Sequence, residues 1–128
     1  MEIIKLTWQG LVSKNGEICE GCNKTYLNIE NALTKLEPLI LSFGIKIILE
    51  KKELSEEDLK KDPMSSNRIF INGEPIEEIL NLEAGKGTPC KLYNGFKCRT
   101  IIDGDKETNE IPEKLIIAAL FTKIKEIF

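Results

Sequence analysis

The chain contains 128 residues, of which 41% are hydrophobic and 30% are charged, and its formal net charge is −3. This is the balance of an ordinary soluble globular domain, and a chain of this length buries enough surface to fold without disulfides. No apolar run approaches the roughly 20 residues of a membrane span, and no basic stripe offers a surface for nucleic acid. We therefore predict one domain over residues 1–128, with neither a membrane nor nucleic acid as its partner.

A βαβ unit is predicted at the start of the chain. Alternating apolar residues predict a strand over residues 2–9. After the sequence Cys19-Glu20-Gly21-Cys22, apolar residues recur at three- and four-residue steps and predict a long helix over residues 23–43, kinked or split at Pro38. Residues 44–50 are rich in β-branched side chains and predict a second strand, parallel to the first with the helix as a right-handed crossover.

A shorter helix and a hairpin are predicted in the middle of the chain. Ser55 and Asp58 form a capping pattern for a helix over about residues 56–61. A short apolar strand over residues 67–72 then runs into Asn72-Gly73, which is the strongest hairpin signal in the chain. We expect a brief antiparallel return and a helical turn after this hairpin.

The last third of the chain predicts a further strand pair and a closing helix. Residues 96–102 are predicted to form one continuous strand, Asp103-Gly104 a tight turn and residues 106–111 the return strand. Residues 112–127 begin with proline and carry an apolar face, as expected of a helix that packs on a sheet. The whole pattern is α/β, with a mixed central sheet, a βαβ start, a later β-hairpin and a C-terminal helix.

The cysteines set the chemistry that the chain can carry. There are four cysteines and no histidine, so a reactive or metal site must be built from sulfur, carboxylate and amine groups. Residues 1–5 show no basic segment that leads into an apolar stretch, which makes the cytoplasm the default location. Because cytoplasmic thiols are kept reduced, we expect redox-active or metal-binding cysteines in preference to a static disulfide frame.

Two of the thiols lie at the start of the first long helix. Backbone N–H groups and the helix dipole at such a position favour the thiolate, which is the reactive form of cysteine. We interpret Cys19 and Cys22 as an exposed catalytic pair, in which Cys19 attacks a disulfide and Cys22 resolves the mixed disulfide. This interpretation makes the protein a thiol–disulfide oxidoreductase without a cofactor, whose partner is a protein or small-molecule thiol or disulfide.

Cys90 and Cys98 leave other interpretations open. They could form their own disulfide, serve as a relay for the first pair, or complete a four-thiolate site for zinc or another soft metal or metalloid. Their separation of eight positions differs from the close pairs of structural zinc sites. The metal-binding alternative, which resembles small arsenic-chaperone proteins, requires Cys90 or Cys98 within a few ångströms of the first pair. A third interpretation, a redox-inactive interaction module, requires a buried Cys19 with a raised pKa.

Arg68 and Arg99 are the two arginines of the chain. Each is suited to stabilise a thiolate or bind an anionic group, and each could equally form a surface ion pair. We interpret Arg99 as a supporting charge for the thiols, because it directly follows Cys98.

The order of the predicted elements resembles the thioredoxin-like fold. The resemblance is carried by the cysteine pair at a helix start, by Ile69-Phe70-Ile71-Asn72-Gly73 and by the following Glu74-Pro75-Ile76-Glu77. More narrowly, the chain is similar to a small prokaryotic cysteine-rich family of unknown function with this fold. That likeness is carried by Thr88-Pro89-Cys90, Cys98-Arg99-Thr100 and the segment from Ile111 to Ile116. The resemblance covers nearly the whole chain and implies thiol redox chemistry.

One departure from the thioredoxin-like pattern concerns the groove beside the thiols. Thioredoxin-like oxidoreductases carry a cis-proline just before the third strand, where it shapes the substrate groove and shields the thiols from metal. This chain has Ser66-Asn67-Arg68 at that place. The resemblance therefore implies that Asn67 and Arg68 line the substrate groove, and the missing proline favours the metal-binding alternative.

Overall fold

The computed structural model describes residues 1–90 and 95–127. Within these residues the helices are α1 (Glu20–Leu41), α2 (Glu56–Lys61), α3 (Ile76–Ile79) and α4 (Glu113–Ile127). The strands are β1 (Glu2–Leu11), β2 (Ile45–Leu54), β3 (Arg68–Ile71), β4 (Glu74–Pro75), β5 (Glu83–Ala84), β6 (Thr88–Pro89), β7 (Lys97–Cys98), β8 (Ile101–Asp103) and β9 (Lys106–Thr108). No helix in the described part of the chain is long and apolar enough to cross a membrane.

The largest sheet is mixed and has the strand order β2-β1-β3-β4. β1 and β2 are parallel, with Leu6 opposite Leu49, so α1 is the crossover between them. β3 runs antiparallel to β1 on its other side, with Leu6 opposite Ile71, and β4 returns antiparallel to β3. Two smaller sheets have the orders β5-β8-β9 and β6-β7. The predicted βαβ start, the mixed sheet and the C-terminal helix are confirmed.

The core lies between the largest sheet and helices α1 and α4, which also pack against each other. Alternation along β1 buries Ile4, Leu6 and Trp8 completely, and each of the two helices buries one apolar face. Burying one large apolar side chain contributes about 1.5–3 kcal/mol. This packing holds α1 on the sheet and thereby fixes the position of its N-terminus.

Two local predictions are confirmed at the level of single hydrogen bonds and dihedral angles. Ser55 and Asp58 form a capping box at the start of α2, because each side chain accepts a hydrogen bond from the other residue's backbone N–H. Asn72 and Gly73 have φ angles of 52° and 82°, the left-handed region that the tight turn between β3 and β4 requires. The later turn is shifted by one residue from the prediction, to Gly104-Asp105.

Helix α1 differs from the prediction at both ends and at its proline. It begins directly after Cys19, ends at Leu41 and continues past Pro38. Of the two predicted alternatives at Pro38, a kink or a split, the split is therefore wrong. Leu36 and Ile40, which flank the proline, are both buried in the core. Their packing holds the helix together across a position where one backbone hydrogen bond is missing.

The prediction of one continuous strand over residues 96–102 is wrong. β7 pairs with β6 in one small sheet, and β8 pairs with β5 and β9 in another. Between them, the Arg99 N–H donates to the Ser66 carbonyl (2.9 Å) and the buried Thr100 hydroxyl donates to the Glu107 carboxylate (2.7 Å). These tertiary contacts turn the chain away from the strand direction that its local pattern favours.

Candidate thiol site

Cys19 and Cys22 lie at the N-terminus of α1. Cys19 is the N-cap residue, has an extended backbone and accepts the Asn23 N–H at its carbonyl (2.9 Å). Cys22 lies on the helix face that packs inward. The exposed fraction is 7% for Cys19 and 0% for Cys22. The prediction of an exposed pair is therefore wrong, because β7 brings Cys98 against both sulfurs.

Cys98 is the third member of the cluster. Its strand β7 pairs with β6, with Thr88 opposite Cys98. The Cys98 Sγ atom lies 3.0 Å from Cys19 Sγ and 3.4 Å from Cys22 Sγ. All three sulfurs lie within 4.8 Å of one another. The structure thus places Cys98 within the few ångströms that the metal-binding alternative required.

Cys90 lies at the edge of this cluster. It directly follows β6, is buried, and donates its N–H to the Phe96 carbonyl (2.8 Å). Its thiol is the smallest of the causes that lower the pKa of Cys19, and Cys90 does not belong to the group of sulfurs that all lie within 4.8 Å of one another. The structure therefore distinguishes three clustered thiols from one peripheral thiol.

The three clustered thiols have different affinities for protons. Hydrogen bonds from the Cys22 thiol, then from the Cys98 thiol, lower the pKa of Cys19 to about 3 against the opposing effect of burial. The hydrogen bond to Cys19 is the main cause that raises the pKa of Cys22 to about 12. Hydrogen bonds to Cys19 and Cys22, together with burial, raise the pKa of Cys98. At neutral pH the cluster is therefore one thiolate that two neutral thiols hold in place. Cys19 is buried, as the redox-inactive module requires, but its lowered pKa is opposite to the second condition for that module.

A cavity of about 280 Å³ leads to the cluster. Its lining residues are Cys19, Glu20, Gly21, Pro89, Cys98, Asn109 and Glu110. Lys24 forms ion pairs with both carboxylates of this lining, at 3.3 Å from Glu20 and 3.2 Å from Glu110. Two carboxylates and one ammonium give this entrance a formal charge of −1, so cations and neutral molecules enter more easily than anions.

Asn67 connects the two segments that carry Cys98 and Asn109 through its side-chain hydrogen bonds. It has a φ angle of 69°, is buried, and donates its side-chain N–H groups to the carbonyls of Arg99 (3.1 Å) and Asn109 (2.6 Å). Asn67 and Arg68 are not among the residues that line the cavity. Their predicted contact with a substrate stays a prediction, and the structure gives Asn67 a bracing role in addition.

Arg68 and Arg99 share one buried partner, Glu77. The Arg68 guanidinium lies 3.1 Å and the Arg99 Nε atom 3.3 Å from the Glu77 carboxylate, whose side chain is only 8% exposed. Arg99 also donates to the Met64 carbonyl (3.2 Å). The Arg99 guanidinium pairs with Glu77 and Met64, and no contact in this arrangement supports its interpretation as a charge that stabilises the thiols.

Sequence reasoning missed Asn109, which packs against the start of α1. Its carbonyl accepts from Thr25 Oγ1 (2.9 Å), and its side-chain amide donates to Thr88 Oγ1 (2.9 Å). Its side chain also lies against Gly21, where an added Cβ would come within 2.5 Å of the amide nitrogen. Glycine at position 21 therefore permits the close approach of Asn109, which lines the cavity. No local sequence pattern indicates this role for Asn109.

Together, the fold and the site define a mixed α/β domain with a buried cluster of cysteine thiols at the N-terminus of its longest helix. The chain belongs to the family described as "Domain of unknown function (DUF2703)", which matches residues 4–120. It is similar to an "Uncharacterized protein" of Archaeoglobus fulgidus, with 27% identity over 108 residues that cover 84% of this chain and 77% of that protein. No solved structure matches the chain.

Proposed function

We propose that this protein binds a soft metal or metalloid ion through the thiolates of Cys19, Cys22 and Cys98. The observation that carries the proposal is the position of the Cys98 sulfur, 3.0 Å from Cys19 Sγ and 3.4 Å from Cys22 Sγ. Thiolates are the side-chain ligands that soft ions prefer, and the chain has no histidine that would favour harder borderline ions. With bonds of about 2.3 Å, one ion can contact all three sulfurs at such separations.

The surroundings of the cluster support this proposal. The cavity that reaches Cys19 and Cys98 provides an entry path, and its acidic entrance does not repel a cation. The burial of all three thiols protects them from bulky oxidants. Binding an ion replaces the thiol protons that now bridge the sulfurs, so the three side chains need little movement to become ligands.

The proposal predicts one ion per chain and three protected thiols. When reduced protein is titrated with Cd²⁺ or arsenite without oxygen, we expect a single adduct by native mass spectrometry. Because the three thiols are buried even without an ion, alkylation is carried out in denaturant, where Cys19, Cys22 and Cys98 should be protected relative to the ion-free protein. Loss of an outer-shell partner alone typically weakens metal binding 10–100-fold, so Cys19→Ser should weaken it by at least about a hundredfold. Cys90→Ser is the matched control and should bind normally. A protein that forms no adduct with either probe would contradict the proposal.

A second candidate function, thiol–disulfide exchange, is favoured by the ionised Cys19 at the N-terminus of α1. In the first step the Cys19 thiolate attacks a partner disulfide, forms a mixed disulfide and expels one partner thiolate. In the second step Cys22 or Cys98 loses its proton and attacks the Cys19 sulfur, which releases the second partner thiolate. The protein is then oxidised by two electrons to an internal disulfide, and the partner is reduced to two thiols.

The thioredoxin-like fold is proposed together with this second function. The elements β1, α1 with the cysteine pair at its start, β2, β3 with its hairpin, and α4 follow one another in the order that the resemblance implies. A reducing compartment such as the cytoplasm would keep all four thiols free, which either function requires.

The second candidate makes a prediction about which thiol resolves the mixed disulfide. Because Cys98 Sγ lies 3.0 Å from Cys19 Sγ, the Cys22→Ser variant should still lose one pair of hydrogens under mild oxidation, by forming a Cys19–Cys98 disulfide. Peptide mapping by mass spectrometry identifies the pair. The double variant with Cys22→Ser and Cys98→Ser is the control and should form no such bond. A Cys22→Ser protein that yields only intermolecular dimers would show that Cys98 cannot serve as the resolving thiol.

A further inference from the structure

We infer that the ion for which this site is built is a trivalent metalloid with the chemistry of arsenite, held by Cys19, Cys22 and Cys98 in a three-coordinate complex. This inference rests on the proposed function and narrows it from soft ions in general to one class. Three features of the site carry it: the spacing of the sulfurs, the charge of their surroundings and the position of the fourth cysteine.

The two sulfur separations made by Cys98 are closer to those of a pyramidal complex than to those of a tetrahedral one. With bonds of about 2.3 Å, two sulfurs at tetrahedral angles lie about 3.8 Å apart, whereas two sulfurs near a right angle lie about 3.3 Å apart. A trivalent metalloid holds its ligands near right angles, because its lone pair occupies the remaining direction. The separations from Cys98 Sγ, 3.0 Å to Cys19 Sγ and 3.4 Å to Cys22 Sγ, lie nearer the smaller spacing.

The charge of the complex points to the same class of ion. Three thiolates around a trivalent ion give a neutral complex, whereas three thiolates around a divalent ion carry −1 and four carry −2. The hydrogen-bond partners of the three sulfurs are one another and Ser66, and no lysine or arginine pairs with them among residues 1–90 and 95–127. A buried charge without a partner is costly, so this site favours the neutral complex.

The fourth cysteine, Cys90, lies too far from the other three sulfurs to complete a tetrahedral site without moving. Cys90 stands outside the mutual cluster, so a divalent ion would have to draw it inward to complete four-coordination. A three-coordinate ion needs no such movement. Its lone pair can point into the cavity that Cys19 and Cys98 line.

The entrance and the chemistry of loading agree with an uncharged substrate. Arsenite at neutral pH is As(OH)₃, which the entrance with Glu20 and Glu110 does not repel, whereas the arsenate anion would be repelled. Loading exchanges three As–O bonds for three As–S bonds. Each of the three hydroxide groups on arsenic needs one proton to leave as water. The two neutral thiols supply two of these protons, and solvent supplies the third, because the third cysteine is already a thiolate. No electron is transferred, and arsenic stays trivalent.

The test compares arsenite with Zn²⁺ on the reduced full-length protein. With arsenite we expect one arsenic bound in place of three hydrogens. Alkylation in denaturant, which exposes the buried Cys90, should label Cys90 alone while arsenic stays bound. The Cys98→Ser variant should bind arsenite at least about a hundredfold more weakly, since loss of a ligand costs more than loss of an outer-shell partner. Cys90→Ser should change arsenite affinity less than about twofold. The alkylation pattern of the wild type needs no variant, so the test stands even if Cys98→Ser folds poorly.

Three other outcomes have distinct meanings. In the first, the protein binds Zn²⁺ with all four thiols protected, Cys90→Ser weakens zinc binding, and arsenite is not bound. This result would overturn the inference and leave the proposed function in place. Arsenite binding that Cys90→Ser weakens as much as Cys98→Ser would overturn the three-ligand set. No adduct with arsenite or Zn²⁺ would overturn the inference, and the absence of a Cd²⁺ adduct as well would overturn the proposed function.

Discussion

Replacement of Glu77 by alanine is expected to lower the free energy of unfolding by about 3–5 kcal/mol, the usual cost of removing one partner from a buried ion pair. The Glu77 carboxylate forms ion pairs with the guanidinium groups of both Arg68 and Arg99, and all three side chains are less than one fifth exposed. Alanine would leave two adjacent positive charges without their counter-ion. Urea unfolding, followed by the fluorescence of the single buried tryptophan, Trp8, measures the change.

Glu78 provides the matched control for this experiment. It has the same side chain, is the next residue of α3 and is exposed. Exposed substitutions of this kind usually change stability by less than about 0.5 kcal/mol. If Glu77→Ala and Glu78→Ala destabilised the protein equally, the ion triad would have no special role in the fold. Arg99 follows Cys98 directly, so the loss of Glu77 should also disturb the third sulfur.

The alkylation of Cys19 by iodoacetamide is expected to be independent of pH between about pH 5 and 8. For an ordinary thiol with a pKa of 9.0, the thiolate fraction falls about tenfold for each pH unit below that value. Between pH 8 and pH 5 it therefore falls about a thousandfold. The pKa of Cys19 is lowered to about 3, so its thiolate is complete throughout this range and would be lost only on approach to pH 3. Mass spectrometry of the Cys19 peptide gives the rate at each pH.

The shape of this profile, and not the absolute rate, is the informative quantity. A low pKa also weakens the nucleophile, and Cys19 is reached only through its cavity. Protein unfolded in urea is the control, and there Cys19 should follow the profile of an ordinary thiol. Cys98→Ala removes one of the hydrogen bonds that stabilise the thiolate and should shift the midpoint upward. A native Cys19 whose rate falls tenfold for each pH unit below 8 would contradict the arrangement of one thiolate and two thiols.

The elements that could be predicted from the sequence are those whose signals are local. The apolar period of α1, the capping pair Ser55 and Asp58, and the Asn72-Gly73 turn each express a preference of a few neighbouring residues, and all three are present in the structure. The strand over residues 96–102 was predicted as one because its local pattern is continuous. Its division depends on the contact between Arg99 and Ser66, which are 33 positions apart and follow no local rule.

The same distinction holds for the site. The pair Cys19 and Cys22 could be predicted as chemically important from its spacing and its place at a helix start. The position of Cys98, 79 residues after Cys19, follows from the pairing of β6 with β7 and from the bracing by Asn67, and neither is encoded near the cysteines. The wrong expectation of exposure has the same cause, because the segment that covers the thiols comes from the far end of the chain.

The third sulfur lies on a small ribbon that the main sheet does not include. β6 and β7 pair only with each other among the described strands, whereas Cys19 and Cys22 are fixed by the packing of α1. An ion bound by all three sulfurs would therefore join two parts of the molecule that the backbone ladder leaves separate. Part of its binding energy would appear as increased protection of the ribbon against local opening. The affinity of the site and the stability of this one element would then be thermodynamically linked, so that a change in one changes the other.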